Sequence, residues 1–244
     1  LERSQLRTML TATALLIGVS MIVVIQGMTT SFSADLFDWM EAYIGGDLFV
    51  GSSVPLKREM QTRFESLPGV YAASPIRYFE TIWLQADGAE ETLNFMAVDP
   101  SVYTRVTGFV FSASDIDVDR ALSELDAGGT VFISSVIAEK YALGAGDVLW
   151  LQTRQGPKSF KVAAVVMDFY NQGMVVTGSW DDMQRFFRIN DANTIFIKVN
   201  PGFSVEQVKE DIDQLYGKRY QLAVESNLSV KSRALALMNQ ESSG

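Results

Sequence analysis

The chain has 244 residues, 48% of them hydrophobic, and 20 Lys and Arg against 29 Asp and Glu give a net charge of −9. That balance disfavours nucleic acid and anionic lipid surfaces as partners of the extramembrane part. Cysteine and histidine are both absent, which excludes disulfides, thiolate chemistry, the common zinc sites and the Ser-His and Cys-His nucleophile pairs.

No charged residue occurs in the 27 positions between Arg7 and Asp35. The centre of this gap, Leu15 to Ile25, is almost wholly apolar, and a helix needs about 20 such residues to cross a bilayer. Thr8 to Met28 therefore reads as a transmembrane helix, with residues 1–31 as cytoplasmic flank and span. Arg3 and Arg7 precede it, while Asp35, Asp38 and Glu41 follow. Basic residues stay on the cytoplasmic side, so the rest of the chain is expected outside. The rival reading is a cleaved signal peptide with Ser31 and Ser33 at the cleavage site, although a signal core usually spans only about 7–15 residues. A start at Leu1 rather than Met reads as a fragment of a longer protein. Residues 32–46 continue as an amphipathic stalk, with Phe32, Leu36, Met40 and Tyr43 on one side and Trp39 beside them. The stalk either packs on the domain or meets a second stalk, and Gly45-Gly46 ends it.

Asp47 to Val50 reads as a strand and Gly51 to Pro55 as a turn. Leu56, Met60, Phe64 and Leu67 then mark one face of a helix, broken at Pro68-Gly69, and Val70 to Ile76 returns as a strand. Near the other end the pattern recurs. Thr194 to Val199 is a strand, Asn200-Pro201-Gly202 a turn, Val205, Val208, Ile212 and Leu215 a helix face ended by Gly217, and Tyr220 to Val224 the closing strand. Two such units predict an α+β fold: a split β-α-β, ferredoxin-like layer with helices on one face of a four-stranded sheet. The alternative is independent elements that do not pair.

Residues 80–188 have a different texture and read as an inserted, β-rich subdomain. Thr81–Leu84 and Thr92–Ala97 flank Asp87-Gly88, a hairpin signal. Further strands are expected at Thr130–Ser134, Val148–Thr153, Phe160–Asp168 and Gly173–Thr177, with Gln155-Gly156-Pro157 as a turn. Short helices are expected at Ser135–Ala142 and at Ser179–Phe187, the second capped by Ser179.

Candidate chemistry is sparse. Asp115, Asp117, Asp119 and Asp126 have the spacing of a calcium loop, but Arg120 stands where the loop needs glycine, and the twelfth position is Asp rather than a bidentate Glu. Asp119 reads more simply as the cap of a helix starting at Arg120. Gly144-Ala145-Gly146-Asp147 lacks the Lys-Ser/Thr ending of a phosphate loop and reads as a turn. Glu90-Glu91 and Asp181-Asp182 read as solvated pairs rather than carboxylates set across a cleft. No catalytic, cofactor-binding or metal-ligating residue is assigned, and no cofactor is expected.

Arg7-Thr8-Met9-Leu10 with the span, then Phe37-Asp38-Trp39 running to Gly46-Asp47-Leu48-Phe49-Val50, resemble the first helix, stalk and first strand of FtsX-like, MacB-type ABC transporter permeases. Tyr141 to Leu149 resembles the leucine-glycine-x-glycine-aspartate turn of that family, Lys158–Asp168 and Gln172–Val176 the strands after it, and Asn200-Pro201-Gly202 with the Val205 helix its last β-α-β unit. The resemblance implies a Porter-like α/β subdomain at 47–79 and 189–227 carrying a Sabre-like β-rich subdomain at 80–188, with 228–244 leading toward a second membrane helix. It implies a location in the cell membrane, with the bulk of the chain extracytoplasmic. It also implies a permease segment moved by a cytoplasmic ABC ATPase, a second permease copy or half, and contact with membrane lipid. Such a domain would do no chemistry and would work by changing the relative position of its two subdomains. The competing classes are a membrane-anchored sensor or scaffold and a tethered enzyme.

Overall fold

A computed structural model of the chain describes residues 46–229 continuously, together with 13, 15–24, 27 and 232. It comprises two compact units, Leu1–Asp38 and Trp39–Gly244. In the first, residues 15–24 are helical and Leu15, Leu16, Ile17 and Ile22 are exposed. Among the described residues no helix is long and apolar enough to cross a membrane. Much of the span expected from Thr8 to Met28 lies outside the described residues, as does the stalk at 32–46 apart from Gly46.

The second unit contains β1 (Leu48–Leu56), α1 (Glu59–Glu65), β2 (Val70–Leu84), β3 (Glu90–Val98), α2 (Pro100–Val106), α3 (Val118–Ala127), β4 (Thr130–Ser134) and α4 (Ser135–Tyr141). After these come β5 (Val148–Thr153), β6 (Gly156–Val166), β7 (Val175–Ser179), α5 (Trp180–Asp182), β8 (Ala192–Val199), α6 (Val205–Ile212) and β9 (Leu222–Ser226). A π-turn, Met183–Phe187, prolongs α5; another, Asp213–Gly217, prolongs α6 into a last helical turn at Lys218–Tyr220.

β9, β1, β8 and β2 lie side by side in that order as an antiparallel layer. Leu48 faces Ser226 on one side and Ile197 on the other, so segments far apart in sequence share one sheet. Successive side chains alternate across a strand. Leu48, Val50, Ile195 and Ile197 accordingly pack with Met60 and Phe64 of α1 and Val208 and Ile212 of α6, whereas Phe49 and Phe196 point to the other face. Full burial of a side chain such as Phe64 is worth about 1.5–3 kcal/mol. Gly69, at φ +88°, sits where a Cβ would lie 2.7 Å from the Phe203 ring, so glycine alone lets the two β-α-β units close together.

In and around the layer, local expectations fail in three places, and in the insertion the expected turn at Gln155-Gly156-Pro157 gives way to β6, which already begins at Gly156. Gly51–Pro55 is strand rather than turn, with a register shift between Gly51 and Leu56 that absorbs the extra residues as a bulge. The helices do not all share one face: α2 covers the side opposite α1 and α6 with Tyr103 and Val106. This helix opens on Pro100, a favoured first helical position, and is not among the elements expected from the sequence. The closing strand starts at Leu222 rather than Tyr220, because the helix runs on past Gly217 before Gln221 turns the chain at φ +49°.

β2 is 15 residues long and outlasts the layer. Its second half pairs with β3 and β5, and the ring β2-β3-β7-β4-β6-β5 closes on itself. β3–β7 and β4–β6 are parallel; the other ladders of the ring are antiparallel. A closed barrel has no free edge, and a small one is filled by its own side chains. Leu93, Phe95, Val131, Ile133, Leu149, Leu151, Phe160 and Val176 fill this one, in the same apolar cluster that lies under α1 and α6. Gly178 in β7 makes room for the Phe95 ring, since a Cβ would lie 2.2 Å from it. Outside the barrel, Ala121 and Leu125 of α3 pack on Phe132, Ala164 and Val166.

Candidate functional site

The motifs singled out in the sequence serve as structural devices, most of them at the surface. Asp117, not Asp119, caps α3, its carboxylate accepting from the Arg120 amide at 3.0 Å. Arg120 then donates from Nε to Glu124 at 2.9 Å, and Lys161 reaches the same carboxylate at 3.3 Å. Those two cations hold the Glu124 carboxyl below its ordinary pKa. Gly144 to Asp147 is a turn in which the Asp147 amide donates to the Gly144 carbonyl at 3.2 Å and the Asp147 carboxylate accepts from the Gly144 amide at 2.7 Å. Ser179 caps α5 by accepting from the Asp182 amide at 3.1 Å. Asp182 is buried rather than solvated; it accepts from the Gly129 amide at 2.7 Å, and burial pushes its carboxyl pKa up. Glu91 lies 3.7 Å from Lys140. Among the described residues no group of three or more Asp or Glu gathers as a metal site.

Three places carry more information than those motifs. The first is where Gly46 and Asp47, just before β1, meet Asn227, just after β9. The Asn227 amide donates to the Asp47 carbonyl at 2.9 Å, and its side-chain Nδ2 donates to the Gly46 carbonyl at 3.2 Å. The Asp47 carboxylate in turn accepts from the Val199 amide at 2.8 Å and approaches Lys198 at 3.4 Å. Both segments are therefore tied to each other and to the central strand β8.

The second place is the junction where β2 passes from layer to barrel. Pairing with β8 stops at Ile76 opposite Thr194, and the Asn193 side chain replaces the missing strand residue. It accepts from the Tyr78 amide at 3.0 Å and donates to the Tyr78 carbonyl at 2.9 Å. Arg77 bridges to Asp191 at 2.8 Å alongside. The Tyr78 ring stacks on Tyr170 at 4.4 Å, in a loop with three successive left-handed residues, Asn171, Gln172 and Gly173. Such residues are strained unless the surroundings hold them. Here Ser134 Oγ donates to the Gly173 carbonyl. Asp168, which is 5% exposed, accepts from the Tyr170 amide at 2.8 Å. Burial lifts the Asp168 pKa from 3.8 to about 6.

The third place is a pair of surface cavities. One, of about 460 Å³, lies between α3 and the barrel and holds Arg120, Lys161 and Glu124, already joined to one another. The other, of about 530 Å³, lies at the end of β1 away from Asp47 and presents Lys57, Arg63 and Arg219. Asp47, Asn193 and Asn227 escaped sequence reading because lone polar residues carry no period. An acid placed directly after the apolar run Val162 to Met167 was the available signal for Asp168.

A split β-α-β layer with a barrel built into one of its strands, and with Asn227 bonded to Gly46 and Asp47, defines a mixed α+β core. The chain belongs to the family of MacB-like periplasmic core domains, whose sequence profile matches residues 8–215. It is 22% identical, over 98% of its length, to an uncharacterised ABC transporter permease protein, Rv0987, of Mycobacterium tuberculosis, and spans 28% of that relative. Among solved structures, it resembles the periplasmic region of MacB from Actinobacillus actinomycetemcomitans, with a TM-score of 0.58 and 12% identity over 78% of this chain and 92% of that one. It also resembles the extracellular domain of the noncanonic ABC-type transporter YknZ from Gram-positive bacteria, with a TM-score of 0.55 and 13% identity over 74% of this chain and 98% of that one. At those identities the likeness establishes the fold, and the permease-core resemblance noted in the sequence holds.

Proposed function

We propose that this chain is the outward-facing core of an ABC transporter permease subunit, anchored in the cell membrane through Thr8–Met28, with the bulk of the chain extracytoplasmic. A cytoplasmic ABC ATPase, engaged through parts of the parent protein outside this chain, drives membrane segments that move the core. The work done is export, lipoprotein release or cell-envelope signalling, and the core itself is not an enzyme. A second permease copy or half and the surrounding lipid complete the assembly. In this reading residues 47–79 and 189–227 are the Porter-like part and 80–188 the Sabre-like part.

The observation that carries the reading is the tie between Gly46, Asp47 and Asn227. Movement of the flanking segments enters the core at one place, through the neighbouring strands β1 and β9. One continuous apolar cluster then joins layer to barrel, and close-packed interiors transmit strain rather than absorb it. This favours motion of the core as one body over a change between its two parts.

Spin labels test both points, since the chain has no cysteine of its own. In the complete transporter, labels at Glu206→Cys and Lys158→Cys of one core should keep their separation when ATP binds. A label at Lys218→Cys should change its distance to the matching label of the second copy. If neither distance responds to ATP turnover, the core is a sensor or scaffold rather than a moving part.

A further inference from the structure

The cavity at the far end of β1 has three departures from regular structure in or next to the segments that line it. Between Ser52, the last residue paired with Leu222, and Leu56, paired with Ala192, β1 bulges and exposes Val54 and Pro55. The π-turn Asp213–Gly217 interrupts the helical segment that leads to Arg219 and Tyr220. Gln221 then takes a left-handed conformation at φ +49°, which brings Tyr220 into the cavity wall. Bulges, π-turns and left-handed residues each cost free energy and gather at functional sites. Val54 and Pro55 of the bulge, with Arg219 and Tyr220 between the π-turn and Gln221, line one cavity of about 530 Å³, within the size range of small-molecule sites.

The wall is held in place. Ser52 Oγ donates to the Tyr220 carbonyl at 2.8 Å, and Ser53 Oγ donates to Gln221 Oε1 at 2.9 Å. Arg63 Nη1 donates to the Tyr220 hydroxyl at 3.2 Å, while the Arg219 guanidinium lies 5.5 Å from the centre of the same ring. Lys57, Arg63 and Arg219 have no carboxylate within ion-pair distance among the described residues, although Glu59 also lines the cavity. In the other cavity the cations are already neutralised by Glu124. The net local charge is positive and attracts anions at short range, although the chain's total is −9. Beside the cations, Val54, Pro55, Met60 and the Tyr220 ring supply an apolar wall.

We propose that this cavity binds an amphipathic anion: a phosphate head held by Arg63, Arg219 and Lys57, with a short apolar chain laid along Val54, Met60 and the Tyr220 ring. Arginine forks match the oxygens of a phosphate, and the aliphatic wall adds a contribution that inorganic phosphate cannot use. The binding rests on the cavity alone; the permease reading supplies only its meaning, as a site for ligand outside the membrane.

The test uses the full chain in nanodiscs of a neutral phosphatidylcholine, titrated by calorimetry with octyl phosphate, inorganic phosphate, octyl glucoside and an acidic peptide. Octyl phosphate should bind at one site, more tightly than inorganic phosphate, and octyl glucoside should not bind above the level of empty nanodiscs. Arg63→Gln with Arg219→Gln should weaken octyl phosphate about tenfold or more, the loss expected when charge-assisted contacts go. Glu59→Gln should tighten it, an opposite sign that damage to the fold would not produce. Equal affinity for inorganic phosphate would make this a free-phosphate site, and tighter binding of the acidic peptide would make it a protein-docking surface. Either result, or no binding of octyl phosphate, overturns the proposal. The ATP-dependent distances described above are independent of all these outcomes.

Discussion

The layer and the barrel share a strand and a core yet treat their boundaries differently. The layer stays open among the described residues: β9 lies at its edge, β1 bulges before Leu56, and Asn227 bonds to Gly46. The barrel closes through β2 and β3, and its special positions face inward, such as Gly178 making way for Phe95. Irregularity at an open boundary exposes groups to partners and ligands. Irregularity inside a closed one serves packing. The bonds from Asn227 to Gly46 and Asp47, and the cavity cations Lys57, Arg63 and Arg219, accordingly belong to the layer.

The comparison breaks first if the two parts unfold separately. Phe95 is fully buried and touches Phe79, Phe160 and Phe187. Phe95→Ala should cost about 3–5 kcal/mol. Because the apolar cluster is continuous, hydrogen exchange should quicken in β1 and β8 as well as in the barrel. Faster exchange confined to the barrel strands would show two cores where the structure has one.

A somewhat smaller effect sits at the junction. Asp168 is buried, and its pKa is raised from 3.8 to about 6, so the folded state holds the proton more tightly than the unfolded state does. Below about pH 4 both states are protonated and the group contributes nothing to the difference. Stability then falls as the pH rises to about 6 and stays lowered above it, by about 3 kcal/mol at roughly 1.4 kcal/mol per pH unit. Asp168→Asn keeps an acceptor for the Tyr170 amide and removes the charge. The variant should be more stable than the parent at pH 7, with a flatter profile of urea midpoint between pH 4 and 6. Parallel profiles would mean that this carboxylate is not ionised at a cost.

The smallest effect concerns the seam itself. Asn193→Ala removes both hydrogen bonds to Tyr78 and should cost about 1–3 kcal/mol, since each is worth about 0.5–1.5 kcal/mol. It should also loosen the seam, so that spin-label distances between Glu206→Cys and Lys158→Cys broaden. An unchanged distribution with the same loss of stability would show that the shared core alone holds layer and barrel together.

Much of this architecture could be read from residue order. The helix faces Met60–Phe64 and Val208–Ile212, the Asp87-Gly88 hairpin and the Ser179 cap all rest on contacts within a few residues, and local spacing records them. The barrel could not be read this way: β3 pairs with β7 and β4 with β6 in parallel, across long connections that leave no local trace. Helix α2 did carry a local signal, Pro100 at its first position with Tyr103 and Val106 three apart. The cavity was illegible because Lys57 and Arg63 stand far from Arg219 in sequence.

Composition alone removed cysteine and histidine chemistry, and apolar spacing marked both β-α-β units, because these depend on residue type and near neighbours. Tertiary structure decided which strands share the layer, that the insertion closes into a ring, that Asp168 loses its water, and that three cations meet beside Tyr220. Each of those depends on burial or on contacts between distant segments. Neither exists until the chain has folded.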